Sequence, residues 1–218
     1  MKQKSAPEDI FSFLNEHIPV TRETFDRLSI YYDLLLKWQK RINLVSTATL
    51  EDAWRRHFLD SLQLLDLIPD LSSILIDLGS GAGFPGLALA IAGAKNAHLI
   101  ESDSKKIAFL REVSRATCTD VCIHHQRVES VILPKAEIIT ARACASLDEL
   151  LNLSSKLLSR ETICLFPKGK KYSKEIEDAK KHWEFNYRET PSITDSEGII
   201  LKLTDIKGRD HDRHQRKG

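Results

Sequence analysis

Residues 77 to 86 of the chain read Asp77-Leu78-Gly79-Ser80-Gly81-Ala82-Gly83-Phe84-Pro85-Gly86. The stretch begins inside the mostly apolar run SILIDLG at 73–79. Four of the nine glycines therefore lie within eight residues. Glycines let a backbone turn sharply and approach a ligand closely, and a helix that follows points free N–H groups at the same place. Pro85 suits the first turn of such a helix. The stretch predicts a strand, a ligand-binding turn at 79–86 (the glycine turn) and a helix.

Two kinds of ligand fit the glycine turn. Gly81, Gly83 and Gly86 match the dinucleotide pattern GxGxxG, with the acidic Glu101 twenty residues after Gly81. The acidic-x-GxGxG pattern that begins at Asp77 is instead typical of sulfonium-cofactor methyltransferases, in which Glu101 would bind the ribose hydroxyls. Asp77 favours the second interpretation, because a carboxylate repels a pyrophosphate and attracts an ammonium or a sulfonium. A third interpretation needs no ligand and takes the stretch as a tight turn. With either ligand, Glu101 could instead cap the helix that follows it.

After residue 70, short β-branched runs alternate with amphipathic stretches. These runs lie at 73–79, 97–102, 121–125, 137–143, 162–169, 183–189 and 198–205. Strands that alternate with helices form a parallel sheet covered on both faces. The last two runs have no long helix between them, which suggests one antiparallel strand. The expected fold is α/β, with a mostly parallel seven-stranded sheet.

The pattern divides the chain into three parts. Residues 1–70 are predicted to be a helical segment, because Phe25, Leu28 and Leu35 recur at helical intervals. Within it, Thr49 followed by Asp52 is a predicted helix start. Residues 71–206 form the α/β domain, and 207–218 are predicted to be a flexible basic tail.

Composition limits the classes of function. The 218 residues contain 32 Lys plus Arg and 31 Asp plus Glu, a net charge of +1, which excludes a polybasic protein but not a local basic patch. We expect no secretory signal and no membrane span, and hence a cytoplasmic protein. Cys118, Cys122, Cys144 and Cys164 show no metal-ligand spacing. They are expected to be reduced and mostly buried thiols, without a metal site.

Six short motifs occur in a fixed order. They are Asn43-Leu44-Val45-Ser46, Arg56-His57-Phe58-Leu59-Asp60-Ser61, the glycine turn with Phe84-Pro85-Gly86, Arg127-Val128-Glu129, Arg142-Ala143-Cys144-Ala145-Ser146 and Pro167-Lys168-Gly169. Together, from about Tyr31 to Leu203, they resemble the GidB/RsmG family of bacterial enzymes that methylate N7 of a guanine in small-subunit ribosomal RNA. The resemblance implies a class I Rossmann-like methyltransferase that uses S-adenosylmethionine. It also implies guanosine 527 of 16S rRNA as the acceptor. Because sites in mature ribosomal RNA are usually packed among proteins, we expect the substrate to be an assembling small ribosomal subunit. We expect a monomer.

The resemblance also implies the cofactor site. The residues that match the family's cofactor contacts are Gly79, Phe84, Val128, Glu129 and Arg142, with Glu101 at the ribose position. The glycine pattern adds Asp77, Gly81 and Gly83 as cofactor-binding candidates. Remaining alternatives to methyl transfer are an NAD-dependent oxidoreductase and a non-catalytic RNA-binding module that grips phosphate with the glycine turn.

The basic residues supply the candidates for catalysis and RNA binding. Arg142, expected at the carboxyl edge of the sheet, would hold O6, phosphate or the cofactor. The alternative is an ion pair with Glu149 or another acid. Lys168, Lys170 and Lys171 are candidates to neutralise RNA phosphates, or else belong to a solvated loop. Lys168 is also a catalytic candidate.

A second basic patch lies in the helical segment. Arg55 and Arg56 are RNA-binding candidates, although Arg56 could simply pair with Asp60 one turn on. His57 is expected to be a packing residue, and Tyr31 is expected in the core rather than stacked on a base. Since guanine N7 has an in-plane lone pair and no proton, we expect no obligatory general base. Alignment alone can supply roughly 7–11 kcal/mol of a barrier.

Overall fold

The computed structural model describes residues 7–142 and 145–209. Its sheet consists of β1 (Ile74–Leu78), β2 (Asn96–Glu101), β3 (Cys122–His125), β4 (Ile138–Ala141), β5 (Ile163–Lys168), β6 (Trp183–Pro191) and β7 (Ile199–Gly208). The strand order is β3-β2-β1-β4-β5-β7-β6. β7 is antiparallel to both of its neighbours, and the other pairs are parallel. The predicted α/β fold with one antiparallel strand is confirmed.

Helices cover the sheet and form the amino-terminal segment. They are α1 (Pro7–His17), α2 (Arg22–Gln39), α3 (Thr47–Leu50), α4 (Asp60–Leu62), α5 (Gly86–Ile91), α6 (Ser104–Ala116), α7 (Leu147–Ser154) and α8 (Tyr172–Ala179). A π-helix at Trp54–Leu59 runs directly into α4. π-Helical turns are rare and occur frequently at functional sites.

The predicted helix start at Thr49 was wrong. Helix α3 begins at Thr47, and its N-cap is Ser46, whose Oγ accepts from the Thr49 backbone N–H. The hydroxyl of Thr49 donates to the Ser46 carbonyl instead of capping a helix. Ser46 takes the cap because its extended backbone places its Oγ near the orphan N–H groups of the first turn.

The amino-terminal helices share one core with the α/β domain. Phe25, Leu28 and Leu35 of α2 belong to the same buried apolar cluster as Leu87 of α5 and Phe109 of α6. The predicted boundary near residue 70 falls in the connection that enters β1. The helical segment is therefore packed against the glycine turn and the helix that follows it.

The carboxyl end differs from the predicted tail. β7 continues to Gly208, and the Arg209 backbone N–H donates to the His182 carbonyl at 2.7 Å. Residues 207 and 208 therefore belong to the sheet, because their backbone groups pair with β6. Residues 210–218 of the predicted tail lie outside the described residues.

The cysteines, which were expected to be mostly buried, differ in their exposure to solvent. Cys164 is buried in β5, whereas Cys118 and Cys122 are exposed, and Cys144 lies outside the described residues. The expectation of burial was wrong for Cys118 and Cys122. Cys118 follows the end of α6, and Cys122 lies in β3, which is an edge strand.

Within residues 7–142 and 145–209, no helix is long and apolar enough to cross a membrane. In the same residues, no cluster of three or more His, Cys, Asp or Glu could hold a metal ion.

Gly86, at the start of α5, packs tightly against the sheet, which predicts a large effect of a single methyl group. A Cβ there would lie 2.5 Å from Asp77 Cβ and 2.6 Å from Leu99 Cδ2, both on buried strands. We expect Gly86→Ala to lower the free energy of unfolding by about 3 kcal/mol, since overpacking forces strand and helix apart. Urea unfolding measures the change. Gly169→Ala is the matched control, because no heavy atom lies within 4 Å of its Cβ; equal effects at both glycines would contradict the explanation.

Candidate active site

Two cavities open at the carboxyl edge of the sheet. The larger, of about 810 Å³, is bounded by the glycine turn, the π-helix, the end of β5 and the connection between β6 and β7. The smaller, of about 210 Å³, lies between the ends of β1 and β2 and the 3₁₀ turn Val128–Ser130. Gly79 and Glu101 line both. The two cavities are thus adjacent parts of one site, at the strand ends where ligands of open α/β sheets bind.

The glycine turn is fixed from two sides. The Ser80 backbone N–H donates to the Ile100 carbonyl at 2.9 Å, and Gly83 N–H donates to the Ser80 carbonyl at 2.7 Å. From behind, the Tyr31 hydroxyl donates to the Ala82 carbonyl. Burial raises the pKa of Tyr31 well above its ordinary value, which keeps this donor protonated. Gly83 has φ +92°, and a Cβ there would lie 2.6 Å from the Tyr31 hydroxyl.

Glu101 ends β2 and holds the turn with its carboxylate. Oε2 accepts from Gly81 N–H at 2.9 Å, and Oε1 accepts from Ser102 N–H at 2.7 Å and from Asp103 N–H at 2.8 Å. The cap of α6 is Asp103, so Glu101 is not a helix cap. A carboxylate has about four acceptor positions. Oε2 therefore keeps acceptor capacity toward the cavities that Glu101 lines.

Asp77 lies beneath the turn rather than in a cavity. Its side chain is fully buried and lines neither cavity. Oδ1 accepts from Thr140 Oγ1 at 2.7 Å, while Oδ2 has no hydrogen-bond partner. Burial raises the pKa of Asp77 to about 6, and the hydrogen bond from Thr140 opposes this shift. Asp77 was predicted to contact the cofactor directly, but its carboxyl group lies behind the glycine turn and lines neither cavity, because the turn separates it from both.

Phe84 joins the helical segment to the turn. Its ring is stacked on Tyr31 at 5.0 Å and on His57 at 5.2 Å, and meets Phe58 edge-on at 5.1 Å. It is only 4% exposed and still lines the large cavity. The Arg142 guanidinium carbon lies 5.1 Å from the centre of the ring. Phe84 thus forms an apolar wall with a cation beside it.

Arg142 follows β4, and its guanidinium donates hydrogen bonds to the helical segment. Its Nη1 donates to the Arg56 carbonyl at 3.0 Å and to Asp60 Oδ2 at 3.1 Å, and Nη2 donates to His57 Nδ1 at 2.9 Å. The arginine and Asp60 side chains are about equally buried, at 15% and 16% exposed. Arg142 therefore pairs with Asp60 rather than with Glu149, and Arg56 does not pair with Asp60.

His57 is a neutral hydrogen-bond bridge. Because an arginine can only donate, Nδ1 of His57 is the acceptor and Nε2 carries the proton, which it donates to Thr49 Oγ1 at 2.9 Å. Burial and then the charges of Arg142 and Arg56 lower the pKa of His57 to about 3. The expectation of a satisfied packing residue agrees with its 7% exposure, although its contacts also orient Arg142.

Lys168 is an interior cation, which corrects its prediction as a phosphate ligand on a loop. Its side chain is 8% exposed, and Nζ donates to Glu175 Oε2 at 2.7 Å and to the Ala145 carbonyl at 3.1 Å. The Leu147 N–H donates to the same Glu175 oxygen. The ammonium lines the large cavity. It is held inside because it bonds both to the chain just before α7 and to Glu175 of α8.

The remaining basic candidates lie at different depths. Arg56 lines the large cavity and forms an ion pair with Asp195 at 3.6 Å. Arg55 is exposed, and its Nε donates to the Thr194 carbonyl at 3.4 Å. Lys170 is exposed in an ion pair with Glu197 at 2.6 Å. Residues Arg55, Lys170 and Lys171 line neither cavity, so they are candidates only for the outer surface.

The structure sorts the predicted cofactor residues into three groups. Gly79, Gly81, Phe84, Glu101 and Arg142 line the large cavity, and Val128 and Glu129 line the small one with Gly79 and Glu101. Asp77 and Gly83 are buried behind them. Sequence analysis missed Thr49, Asp60 and Asp195 as residues of the site. The first two lay within or beside the quoted motifs, whereas no pattern marked Asp195.

Comparisons with known proteins find a matching family and similar sequences. Residues 24–203 match the GidB family model, described as rRNA small subunit methyltransferase G. A Rhodospirillum centenum protein named ribosomal RNA small subunit methyltransferase G is 50% identical over 87% of this chain and 88% of its own. A protein of the same name from Orientia tsutsugamushi strain Ikeda is 43% identical over 90% and 98%.

Solved structures at low identity resemble the fold. Magnesium protoporphyrin IX methyltransferase from Synechocystis PCC 6803 has a TM-score of 0.58 at 14% identity, over 85% of this chain and 97% of its own. Ribosomal protein L11 methylase from Lactobacillus delbrueckii has a TM-score of 0.57 at 15% identity, over 69% and 78%. The fold is therefore the Rossmann-like fold of these methyltransferases. The names of the family and of the relatives favour the methyltransferase interpretation of the glycine turn over the dinucleotide one.

Proposed function

Because the chain belongs to the GidB family of small-subunit ribosomal RNA methyltransferases, we propose that it transfers the methyl group of S-adenosylmethionine to N7 of a guanine, guanosine 527, in 16S rRNA. The observation that carries the proposal is the placement of two adjacent cavities around Glu101, over a turn backed by a buried carboxylate. The large cavity also has room beyond the turn for a second ligand. Cavities of 300–1,000 Å³ are the usual size for a cofactor or substrate.

The residues present fit this cofactor. The small cavity beside Val128 and Glu129 would hold the adenine, and Glu101 would accept from the ribose hydroxyls. The turn from Gly79 to Gly81 would face the methionine end. The unpartnered Oδ2 of Asp77 supports a cationic ligand, since a buried carboxylate repels a pyrophosphate and attracts an ammonium and a sulfonium.

The chain's own residues orient rather than transfer protons. When bound, S-adenosylmethionine supplies an electrophilic methyl group, and guanine N7 offers a lone pair without a proton to remove. His57 is unsuited to act as a base, since both ring nitrogens are bonded and its pKa is about 3. Arg142 is suited to the cofactor, O6 or phosphate, because a hydrogen bond to N7 would occupy the reacting lone pair. Lys168 holds Glu175 and the Ala145 carbonyl in place and so fixes this part of the wall of the large cavity.

Methylation mapping tests the proposal. We expect 16S rRNA from cells that lack the gene to lose one N7-methylguanosine, at position 527, and complementation to restore it. Incubation of the purified protein with labelled S-adenosylmethionine and that unmethylated RNA should return the label to the same nucleotide. Loss of a methyl group elsewhere in the RNA, or unchanged methylation, would contradict the assignment.

The substrate particle and the oligomeric state are part of the proposal. Arg55, Lys170 and Lys171 are exposed at the rim of the site, where they would meet RNA phosphates without entering the cavities. We propose that the protein acts as a monomer on an assembling small subunit, in which the target base is still accessible. Naked 16S rRNA, assembly intermediates and mature subunits, compared as substrates, would rank these forms directly.

The buried Asp77 predicts a pH dependence of cofactor affinity. Its pKa of about 6 in the free protein means that acidification through pH 6 neutralises the carboxylate beneath the turn. A bound cation favours the ionised form and lowers that pKa. Affinity for S-adenosylmethionine should therefore fall below pH 6, by about fivefold between pH 7 and pH 5 if binding lowers the pKa by one unit. Titration calorimetry at several pH values measures this.

Two controls accompany this prediction. S-Adenosylhomocysteine lacks the sulfonium charge, so its affinity should change less over the same pH range. Asp77→Asn should abolish the pH dependence of affinity for both ligands, provided that circular dichroism shows a folded protein.

The maximal rate of single-turnover methyl transfer should stay constant with pH, since no general base is needed. A steep rate limb removed by changing one His or Asp, with binding intact, would contradict the mechanism.

A further inference from the structure

The large cavity has a wall that the cofactor contacts leave unused. It is formed by the π-helix and by the connection between β6 and β7, which meet at Arg56 and Asp195. The carbonyl of Arg56 accepts from Arg142, so this wall adjoins the arginine that follows β4. The wall is held in place because Thr194 Oγ1 donates to Asp60 at 2.6 Å and Ile193 N–H donates to Gln63 at 3.0 Å.

Among the residues that the structure describes, four carboxylates line the large cavity, and Asp195 is the one with the fewest hydrogen bonds and ion-pair contacts. Asp60 and Glu101 each accept at least three hydrogen bonds. Glu175 is closed in a 2.7 Å ion pair with the buried Lys168. Asp195 accepts from the Glu197 N–H through Oδ1, and its Oδ2 lies 3.6 Å from Arg56, beyond a hydrogen bond.

The Arg56–Asp195 pair matches one base edge. The Watson–Crick edge of guanine presents an acceptor, O6, beside two donors, N1–H and the N2 amine. Arg56 can only donate, and an ionised Asp195 can only accept. Adenine presents the opposite order, a donor at N6 beside an acceptor at N1, so the same pair would reject it. Enzymes that act on a flipped base commonly read this edge.

We propose that Arg56 and Asp195 select guanine, with Arg56 donating to O6 and Asp195 Oδ2 accepting from the N2 amine and N1–H. Both side chains are suited to this because they are about 40% exposed, so they are accessible from the cavity. This inference rests on the proposed function. It also changes the role of Arg56 from a phosphate contact to a base contact. A guanine held in this way turns N7 away from the edge that the pair binds.

Inosine tests the assignment, because it differs from guanosine only by the missing N2 amine. In single-turnover methylation of RNA with guanosine or inosine at the target position, the wild-type protein should prefer guanosine by about ten- to a hundredfold in kcat/KM. That range corresponds to one hydrogen bond to a charged acceptor. Mass spectrometry of the product confirms that N7 is the methylated atom in both substrates.

The informative variant is Asp195→Asn. The side-chain oxygen must remain at Oδ1 to accept from the Glu197 N–H, which places the new amide group at Oδ2, facing the guanine donors. The preference for guanosine should fall to about twofold or less. Glu197→Gln is the matched control, since Glu197 is two residues away, is exposed and lines neither cavity. It should keep the wild-type preference.

The outcomes separate the inference from the proposed function. If the wild-type protein methylates guanosine and inosine RNA equally, or if Asp195→Asn keeps the full preference, the base-reading pair is wrong while the methyltransferase assignment stands. If no N7-methylguanosine forms with either RNA, the proposed function fails instead. A folding defect of Asp195→Asn would lower both rates without changing their ratio, so the ratio remains informative.

Discussion

Replacing Arg142 with methionine is expected to lower kcat/KM for methyl transfer by a hundredfold or more. The guanidinium is the charged group at the end of β4 that lines the large cavity beside Phe84. Removal of one preorganised donor from such a site costs about 10²–10³ in rate. Arg142→Lys should not restore the activity, because an ammonium cannot donate to Asp60, His57 and the Arg56 carbonyl with the same planar fork.

The same variant leaves Asp60 without its main counter-charge. Breaking a largely buried ion pair costs about 3 kcal/mol, so Arg142→Met should also unfold at a lower urea concentration. The double variant Arg142→Met with Asp60→Asn separates the two effects, because it also removes the uncompensated charge of Asp60. Its free energy of unfolding should largely return to the wild-type value, whereas its methyl-transfer activity should stay low. Arg188→Met, on the exposed strand β6, is the control for loss of an arginine. Recovery of activity in the double variant would show that Arg142 is only structural.

Replacing Glu101 with glutamine is expected to lower cofactor affinity by about a hundredfold. The new side-chain oxygen must serve Ser102 and Asp103, whose N–H groups share Oε1. The new amide group then faces the Gly81 N–H. Because both groups are hydrogen-bond donors, they repel each other and the glycine turn has to move. A lost charged hydrogen bond costs about 1.5–3 kcal/mol. Titration calorimetry with S-adenosylhomocysteine measures the affinity, and urea unfolding measures the accompanying loss of stability.

Asp103→Asn provides the matched control for Glu101→Gln. Asp103 is two residues away and caps α6 by accepting from the Lys105 and Lys106 N–H groups. Asparagine is an equally good cap, so this variant should change neither affinity nor stability beyond a few tenths of a kcal/mol. An unchanged affinity in Glu101→Gln would mean that the carboxylate neither holds the turn nor contacts the ribose.

The fold and the position of the glycine turn can be predicted from the amino-acid sequence alone. Both are recorded in local patterns: β-branched runs that alternate with amphipathic stretches specify a parallel sheet, and four clustered glycines after a strand specify a close backbone approach. The acidic residue after the next strand, Glu101, follows from the same pattern, since parallel neighbours end at the same edge. Such features depend on residues within about 25 positions of each other, so periodicity and spacing carry them.

Tertiary packing, by contrast, sets which charged side chains line the large cavity. Arg142 meets Asp60 across 82 positions of sequence, and Arg56 meets Asp195 across 139. Nothing local distinguishes Asp60 from Glu149 as the partner of Arg142, because the choice depends on how the helical segment packs against the strand ends. Burial decided the rest: Asp77 lies beneath the turn and Lys168 inside a buried ion pair. Sequence spacing places a side chain on an element, whereas its solvent exposure and counter-charge are set by the elements that pack around it.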